Sequence, residues 1–384
     1  MITKQKIDSR FQELFNEQAA LVAKSPGRIN LIGEHTDYNE GFVLPTAIDK
    51  AIYVGVSKRN DNRISLFAED FNEAHEISID ELAPSEKGWP NYILGVVNQF
   101  AIRDLPISGF SLYLDGDVPL GAGLSSSAAV ECAVGFALNE LFELGLNRVE
   151  LAKIGQLTEH TYVGVNCGIM DQFASIMSKS GHVLKLDCRS LEVEYVPLEL
   201  GEHEIVLLNT NVKHSLADSA YNKRRASCEK GVALVKEKYP EVNSLRDVSV
   251  AQLDELVAKV DADVYTKCKF VIEENERLIK ACDALKNGNI DELGKQLFAA
   301  HAAISSEYEV SCKELDFLVD FAKNFDGVVG ARMMGGGFGG CTINIVKKTA
   351  LEEYVKSIAI AYKNKFGFEL TPIFIQVGNG TELI

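Results

Sequence analysis

Arg28, Glu34, His35 and Asp37 fall within ten positions, bracketed by Gly27 and Gly33 and threaded on the apolar Ile29, Leu31 and Ile32. One guanidinium, one imidazole and two carboxylates at that density offer many directed hydrogen bonds. A sugar is a ring of hydroxyls that each donate and accept, so such a cluster suits one. The same spacing also fits a solvated turn with local ion pairs, and spacing alone leaves both readings open.

A second segment runs Gly121, Ala122, Gly123, Leu124, Ser125, Ser126, Ser127 and then opens a helix-forming run. Glycines let the backbone approach a ligand and turn its N–H groups inward. A helix N-terminus adds partial positive charge, so phosphate is the expected guest. One of the serine hydroxyls can reach a Mg²⁺ ion. The Gly-Lys-Ser/Thr end of a Walker A loop is absent. Plain N-capping by Ser125 is the simpler alternative, although one cap does not need three serines.

Asp171 sits among Ile169, Met170 and Phe173. An ionised carboxylate in such company needs a partner, and Arg28 is the expected one. An exposed helix aspartate is the competing reading. Lastly, residues 335–340 formally match G-x-G-x-x-G. A strand pattern follows them where a helix should begin, which excludes a dinucleotide fold. Glycines this dense imply close packing against a ligand or against the phosphate loop.

These residues need elements to hold them. Phe11, Leu14 and Phe15 share a face of an opening helix. Strand patterns follow at 52–56 and 110–114, the second alternating as a half-buried strand should. Helix patterns cover 92–103 and 148–162. A polar, broken stretch at 187–202 marks a domain boundary, with domains expected at 1–190 and 191–384. Beyond it come a strand at 204–208, a helix at 265–285, and strands at 342–346 and 373–377 flanking a helix at 351–362. Mixed strand and helix signals without strict βαβ alternation predict an α+β fold in two domains.

The bulk numbers agree. The chain has 384 residues, 46% apolar and 24% charged, enough for two cores. A net charge of −16 argues against nucleic acid and acidic membrane surfaces as partners. The longest nearly apolar run, about 128–138, is too short to span a bilayer. The eight cysteines form no C-x-x-C pair and lack a secretory context, so free thiols and a cytoplasmic location are expected.

Taken together, the four segments resemble the GHMP family of small-molecule kinases, and residues 27–39 resemble the signature of its galactose-phosphorylating branch at nearly every position. The resemblance runs from about residue 8 to the last strand. It implies a two-domain α+β GHMP kinase fold with the active site in the interdomain cleft, and ATP-dependent phosphorylation of the 1-hydroxyl of galactose, with ATP and Mg²⁺. It implies that Glu34, His35, Thr36 and Asp37 face the sugar with Gly168 and Tyr221, and that residues 121–127 wrap the phosphates. Ser127 and Glu159 would hold Mg²⁺, Asp171 would be the base with Arg28 beside it, and Trp89 and Tyr92 would line the adenine pocket. A monomer is expected, with a weak homodimer open. Two departures stand out: Met334 begins a loop where many relatives have Thr-Gly-Ala-Gly, and Phe270 stands where a histidine is common. A kinase for N-acetylgalactosamine or arabinose, and an inactive galactose sensor, are the competing functions.

Overall fold

The computed structural model describes residues 2–212 and 217–384, without the side chains of 217–219. The resemblance drawn through residues 217–219 therefore falls outside the described side chains. Thirteen strands are described. They are β1 (Leu21–Asn30), β2 (Phe42–Val43), β3 (Pro45–Lys58), β4 (Arg63–Ala68), β5 (Glu73–Ser78), β6 (Phe110–Gly116), β7 (His182–Asp187), β8 (Val193–Pro197), β9 (His203–Asn209), β10 (Val328–Met333), β11 (Cys341–Lys347), β12 (Thr371–Phe374) and β13 (Glu382–Leu383).

Three sheets result. Six strands in the order β13-β1-β3-β6-β4-β5 form the largest, four in the order β10-β11-β9-β12 the second, and β2-β7-β8 the third. Strands mix with long helices, as an α+β fold requires. The chain's last strand does not stay with the second sheet: β13 pairs with β1, Ala23 opposite Leu383. The polar stretch at 187–202 is not plain linker, because β8 lies inside it and pairs with β7.

The strand at 110–114 differs from its expectation. Phe110, Ser111, Leu112 and Tyr113 are all fully buried. One face, Phe110 and Leu112, joins the main core with Val96, Phe100 and Ala133. The other, Tyr113, packs with Ile7 and Phe11 of α1 (Lys4–Phe15). Alternation signals one wet face only when nothing covers it, and here the opening helix does.

Helix α2 (Asn91–Ala101) and α3 (Ser126–Phe142) cover the sheet's other side. Helix α4 (Arg148–Thr158) starts on a reciprocal cap, Asn147 accepting from the Glu150 amide and Glu150 accepting from the Asn147 amide. It does not run on to 162. At Glu159–Val163 the backbone widens into a π turn, closed by Gly164 at φ +85°. A second π turn at Ile304–Tyr308 follows the helix Ile290–Ala303. Such widenings insert a residue and swing side chains off the helical stripe, which is why they gather at functional sites. Both border the site described next. Among the described residues no helix is long and apolar enough to cross a membrane.

Candidate active site

The end of β1, the turn after it, the segment 164–168, the start of α5 (Met170–Met177) and the β10–β11 turn converge on one cavity of about 290 Å³. Arg28, Glu34, His35, Asp37, Gly168, Asp171 and Tyr221 all line it. Residues as far apart in sequence as Arg28 and Tyr221 thus share one surface, as the sequence reading expected of them.

Asp171 and Arg28 form a two-pronged pair. Arg28 Nε donates to Oδ1 at 2.9 Å and Nη2 to Oδ2 at 3.0 Å. The third arm, Nη1, donates to the Gly123 carbonyl at 2.5 Å. Parallel N–H···O bonds of this kind are among the strongest neutralising contacts a carboxylate can have. Ser125 is not a simple cap. Its φ is +57°, it makes no side-chain cap bond, and its hydroxyl donates to Asp171 Oδ2. The serine therefore ties the backbone before α3 to the carboxylate.

Glu34 turns toward the second sheet. Its Oε1 accepts from Arg332 Nη2 and from the Gly335 amide, both at 2.9 Å. Arg332 is fully buried, and its other N–H groups donate to the carbonyls of Leu31, Asn30 and Met333. The sequence reading missed this residue, which looks like any arginine in a strand. The one clue was a cation next to an apolar run before dense glycine. Removing one partner of a buried pair strands the other charge, so Arg332→Leu should lower stability by about 3–5 kcal/mol. Urea unfolding checks this; a loss under 1 kcal/mol would mean that Glu34 finds other partners.

Asp37 and Gly168 explain one another. A Cβ placed on Gly168 would stand 1.7 Å from Asp37 Oδ2 and 2.2 Å from its Cγ. The carboxyl lies in space that only glycine leaves free. Burial, with Asp171 and Glu34 nearby, pushes the Asp37 carboxyl up to about 7. His35 adopts φ +62°, steadied by Asn39 Nδ2 donating to its carbonyl at 2.9 Å. Burial pushes its imidazole down to about 4, so it is neutral at pH 7.

Thr36 departs from expectation. It does not line the cavity; its hydroxyl, fully buried, bonds the Gly33 and Phe42 carbonyls and shapes the turn instead. Its neighbours reach the cavity because Thr36 holds the turn that aims them.

A second cavity, about 380 Å³, opens on the other side of the α3 N-terminus. Trp89, Tyr92, Ser126 and Ser127 share it with Ile52, Phe71 and Val130. Two aromatic rings and the start of a helix, reached past Gly121 (φ +71°) and Gly123 (φ +73°), suit a flat base joined to phosphates. Glu159, from the π turn, lies against the Ser127 hydroxyl, and burial holds its carboxyl up at about 6. The dense glycines after β10 connect it to β11 in a hairpin, not a strand to a helix. They serve both expected ends: Gly335, Gly336 and Gly337 line the sugar-sized cavity, and Gly123 and Gly335 pack on each other's segments. Phe270, one of the two departures, stacks on Tyr308 at 4.4 Å between ring centroids.

Three family models match the chain: the galactokinase galactose-binding signature over residues 9–58, the GHMP kinases N terminal domain over 91–179 and the GHMP kinases C terminal over 281–364. A galactokinase of Chloroflexus aurantiacus is 40% identical over 375 residues, spanning 97% of this chain and 96% of that one. The chain belongs to the galactokinase family. A galactokinase of Thermotoga petrophila is 42% identical over 94% of this chain and 99% of its own. Among solved structures, Lactococcus lactis galactokinase complexed with galactose matches with a TM-score of 0.94 and 35% identity, covering 98% of this chain and 99% of that one. Methanococcus jannaschii mevalonate kinase, at 19% identity and a TM-score of 0.66, shares the fold. Within this family ATP is the phosphoryl donor.

Proposed function

We propose that this galactokinase moves the γ-phosphoryl group of ATP to the 1-hydroxyl of α-galactose, with Asp171 as base. The observation that carries the reading is the Arg28–Asp171 pair, set in the wall of one cavity and tied through Ser125 and Gly123 to the loop that borders the other. The 1-hydroxyl would lie at Asp171, and the phosphates along residues 121–127. Phosphoryl transfer has a loose transition state, so alignment and charge neutralisation supply most of the rate. Loop N–H groups and Arg28 would meet the charge on the transferred group.

Ser127 and Glu159 are the pair to hold Mg²⁺. A carboxylate and a hydroxyl are hard oxygen donors, and Glu159 is desolvated beside Ser127. Among the described residues no three His, Cys, Asp or Glu side chains gather as a metal cage. Two protein oxygens, completed by phosphates and water, match the habit of Mg²⁺. Bound there, the ion would neutralise phosphate oxygens.

Asp37 would accept from the axial 4-hydroxyl, with Glu34, His35, Gly168 and Tyr221 forming the rest of the sugar wall. Glucose, with that hydroxyl equatorial, would leave a buried carboxyl unpaired and be a very poor substrate. ADP release with ATP·Mg²⁺ and each of galactose, glucose, N-acetylgalactosamine and arabinose tests this. Preference for any sugar but galactose overturns the pocket assignment.

Two further results are expected. If galactose needs the ionised Asp37, its affinity rises with pH up to about 7 and then levels off. Below that point each pH unit costs about tenfold, 1.36 kcal/mol. Calorimetric titration of galactose from pH 5.5 to 8.5 checks it, and a flat profile overturns the requirement. Trp89 is the chain's single tryptophan and lines the second cavity. ATP should therefore change its fluorescence, while galactose alone leaves it unchanged.

A further inference from the structure

We infer that Tyr38, Tyr308 and Cys228 form a hydrogen-bond chain of fixed polarity, which presents His35 to the sugar cavity as a neutral imidazole with its proton on Nε2. Tyr308 is thereby a positioning residue for sugar recognition. The kinetic half of this inference rests on the galactose reading of the cavity; the proton order does not.

The links are continuous. His35 Nε2 lies 3.3 Å from the Gly336 carbonyl, and Nδ1 lies 2.9 Å from the Tyr38 hydroxyl. That hydroxyl is 2.8 Å from the Tyr308 hydroxyl, which is 3.4 Å from the Cys228 sulfur. Tyr308 and Cys228 are buried to within 1%.

The direction follows from what each group can do. A carbonyl oxygen only accepts, so Nε2 carries a proton and donates to Gly336. A neutral imidazole then has a bare Nδ1, which accepts from Tyr38. The Tyr38 hydroxyl has one proton and gives it to His35, so Tyr308 donates to Tyr38. Tyr308, its proton committed, accepts from the Cys228 thiol. An imidazolium would reverse every arrow from Nδ1 outward. Glu34 favours it, but burial outweighs that: the ring is packed among Tyr38, Tyr221 and Tyr308, with centroids 5.9, 5.3 and 4.9 Å away, and Arg224 and Arg332 disfavour added charge.

The chain joins segments far apart in the sequence. Tyr38 belongs to the signature turn, Tyr308 to the second π turn and Cys228 to the helix Ala217–Lys236. Phe270 stacks on the Tyr308 ring and holds its hydroxyl in line. The Nε2–H bond to Gly336 is the longest involving His35, so it is the one a sugar oxygen can replace. His35 then offers one donor, beside Asp37, which only accepts once it is ionised. That pairing distinguishes a hydroxyl's oxygen from its hydrogen.

Long-range ¹H–¹⁵N NMR on histidine-labelled protein reads the tautomer directly, with His35→Gln locating the signal. A single Nε2–H form at pH 7 is expected in the wild type, and a mixture in Tyr38→Phe. Tyr308→Phe should raise the KM for galactose about threefold to tenfold, the worth of one neutral hydrogen bond, with kcat at saturating galactose and the KM for ATP within twofold. Cys228→Ala should shift the galactose KM the same way and Cys228→Ser should recover it, which keeps the test alive if Tyr308→Phe fails to fold. An Nδ1–H or doubly protonated His35 in a wild type that binds galactose overturns this inference alone. A wild type with the expected tautomer that takes no galactose overturns the galactose reading, and Tyr308's role in recognition with it.

Discussion

Asp171→Asn is expected to lower kcat by about 10²–10⁴-fold, the range a positioned general base contributes. The KM for galactose should move by less than about threefold. The asparagine keeps the size of the side chain and one acceptor oxygen, so Arg28 retains one of its two bonds to the residue. What is lost is the capacity to take the proton of the 1-hydroxyl. Stopped-flow or coupled ADP release at saturating galactose and ATP measures the first quantity, and calorimetry of galactose binding the second. Turnover within tenfold of the wild type would remove Asp171 from the base role and leave Arg28 and the loop N–H groups to account for the rate. Loss of galactose binding along with turnover would instead make Asp171 mainly a sugar anchor.

The acidity gap between the partners says when the proton moves: a sugar hydroxyl is a far weaker acid than a carboxylic acid. Asp171 would not strip a sugar hydroxyl before transfer begins. It can accept the proton late, as the bond to phosphorus forms and the hydroxyl becomes acidic. Two ties keep the oxygen aimed: Ser125 and Arg28 fix its position relative to Gly123, and hence to the phosphate loop. Alignment of this kind can be worth more than basicity.

Much of the site was legible beforehand because its chemistry lies in unusual local composition. Asp171 among apolar residues demanded a cation, and Arg28 is that cation. The glycine–serine run before α3 announced a backbone turned toward a ligand. What stayed hidden is held together by contacts between distant segments. Arg332 is one arginine in a β-strand until the fold buries it against Glu34 and three carbonyls. Thr36 sits between His35 and Asp37, so proximity made it look like a ligand; only the path of the turn shows its hydroxyl facing the backbone. The two π turns leave no periodic trace, since one inserted residue looks like continued helix. The buried β6 was misjudged for a related reason, because α1, the element covering its second face, lies about a hundred residues earlier in the chain.

Gly168→Ala should cripple galactose recognition. Gly109 and Gly294 would meet backbone carbonyls away from the cavity, whereas Gly168 is limited by the Asp37 carboxyl, 1.7 Å from where Cβ would stand. No rotation of the methyl relieves that contact. Either the 164–168 segment shifts, or Asp37 leaves its place, and both deform the wall proposed to read the 4-hydroxyl. The galactose KM should rise by about 10²-fold or more, the scale of a lost buried polar contact. Overpacking should also cost about 1–3 kcal/mol of stability. ATP binding, followed through Trp89 fluorescence, should change less than threefold, because the second cavity is built from other segments. Asp37→Ala in the same background separates the two causes. If the clash with Asp37 is the whole defect, the double variant is no worse toward galactose than Asp37→Ala alone, and its stability returns. If the double variant is worse, the 164–168 segment itself contacts the sugar, and Gly168 serves the site by its backbone as well as by the room it leaves.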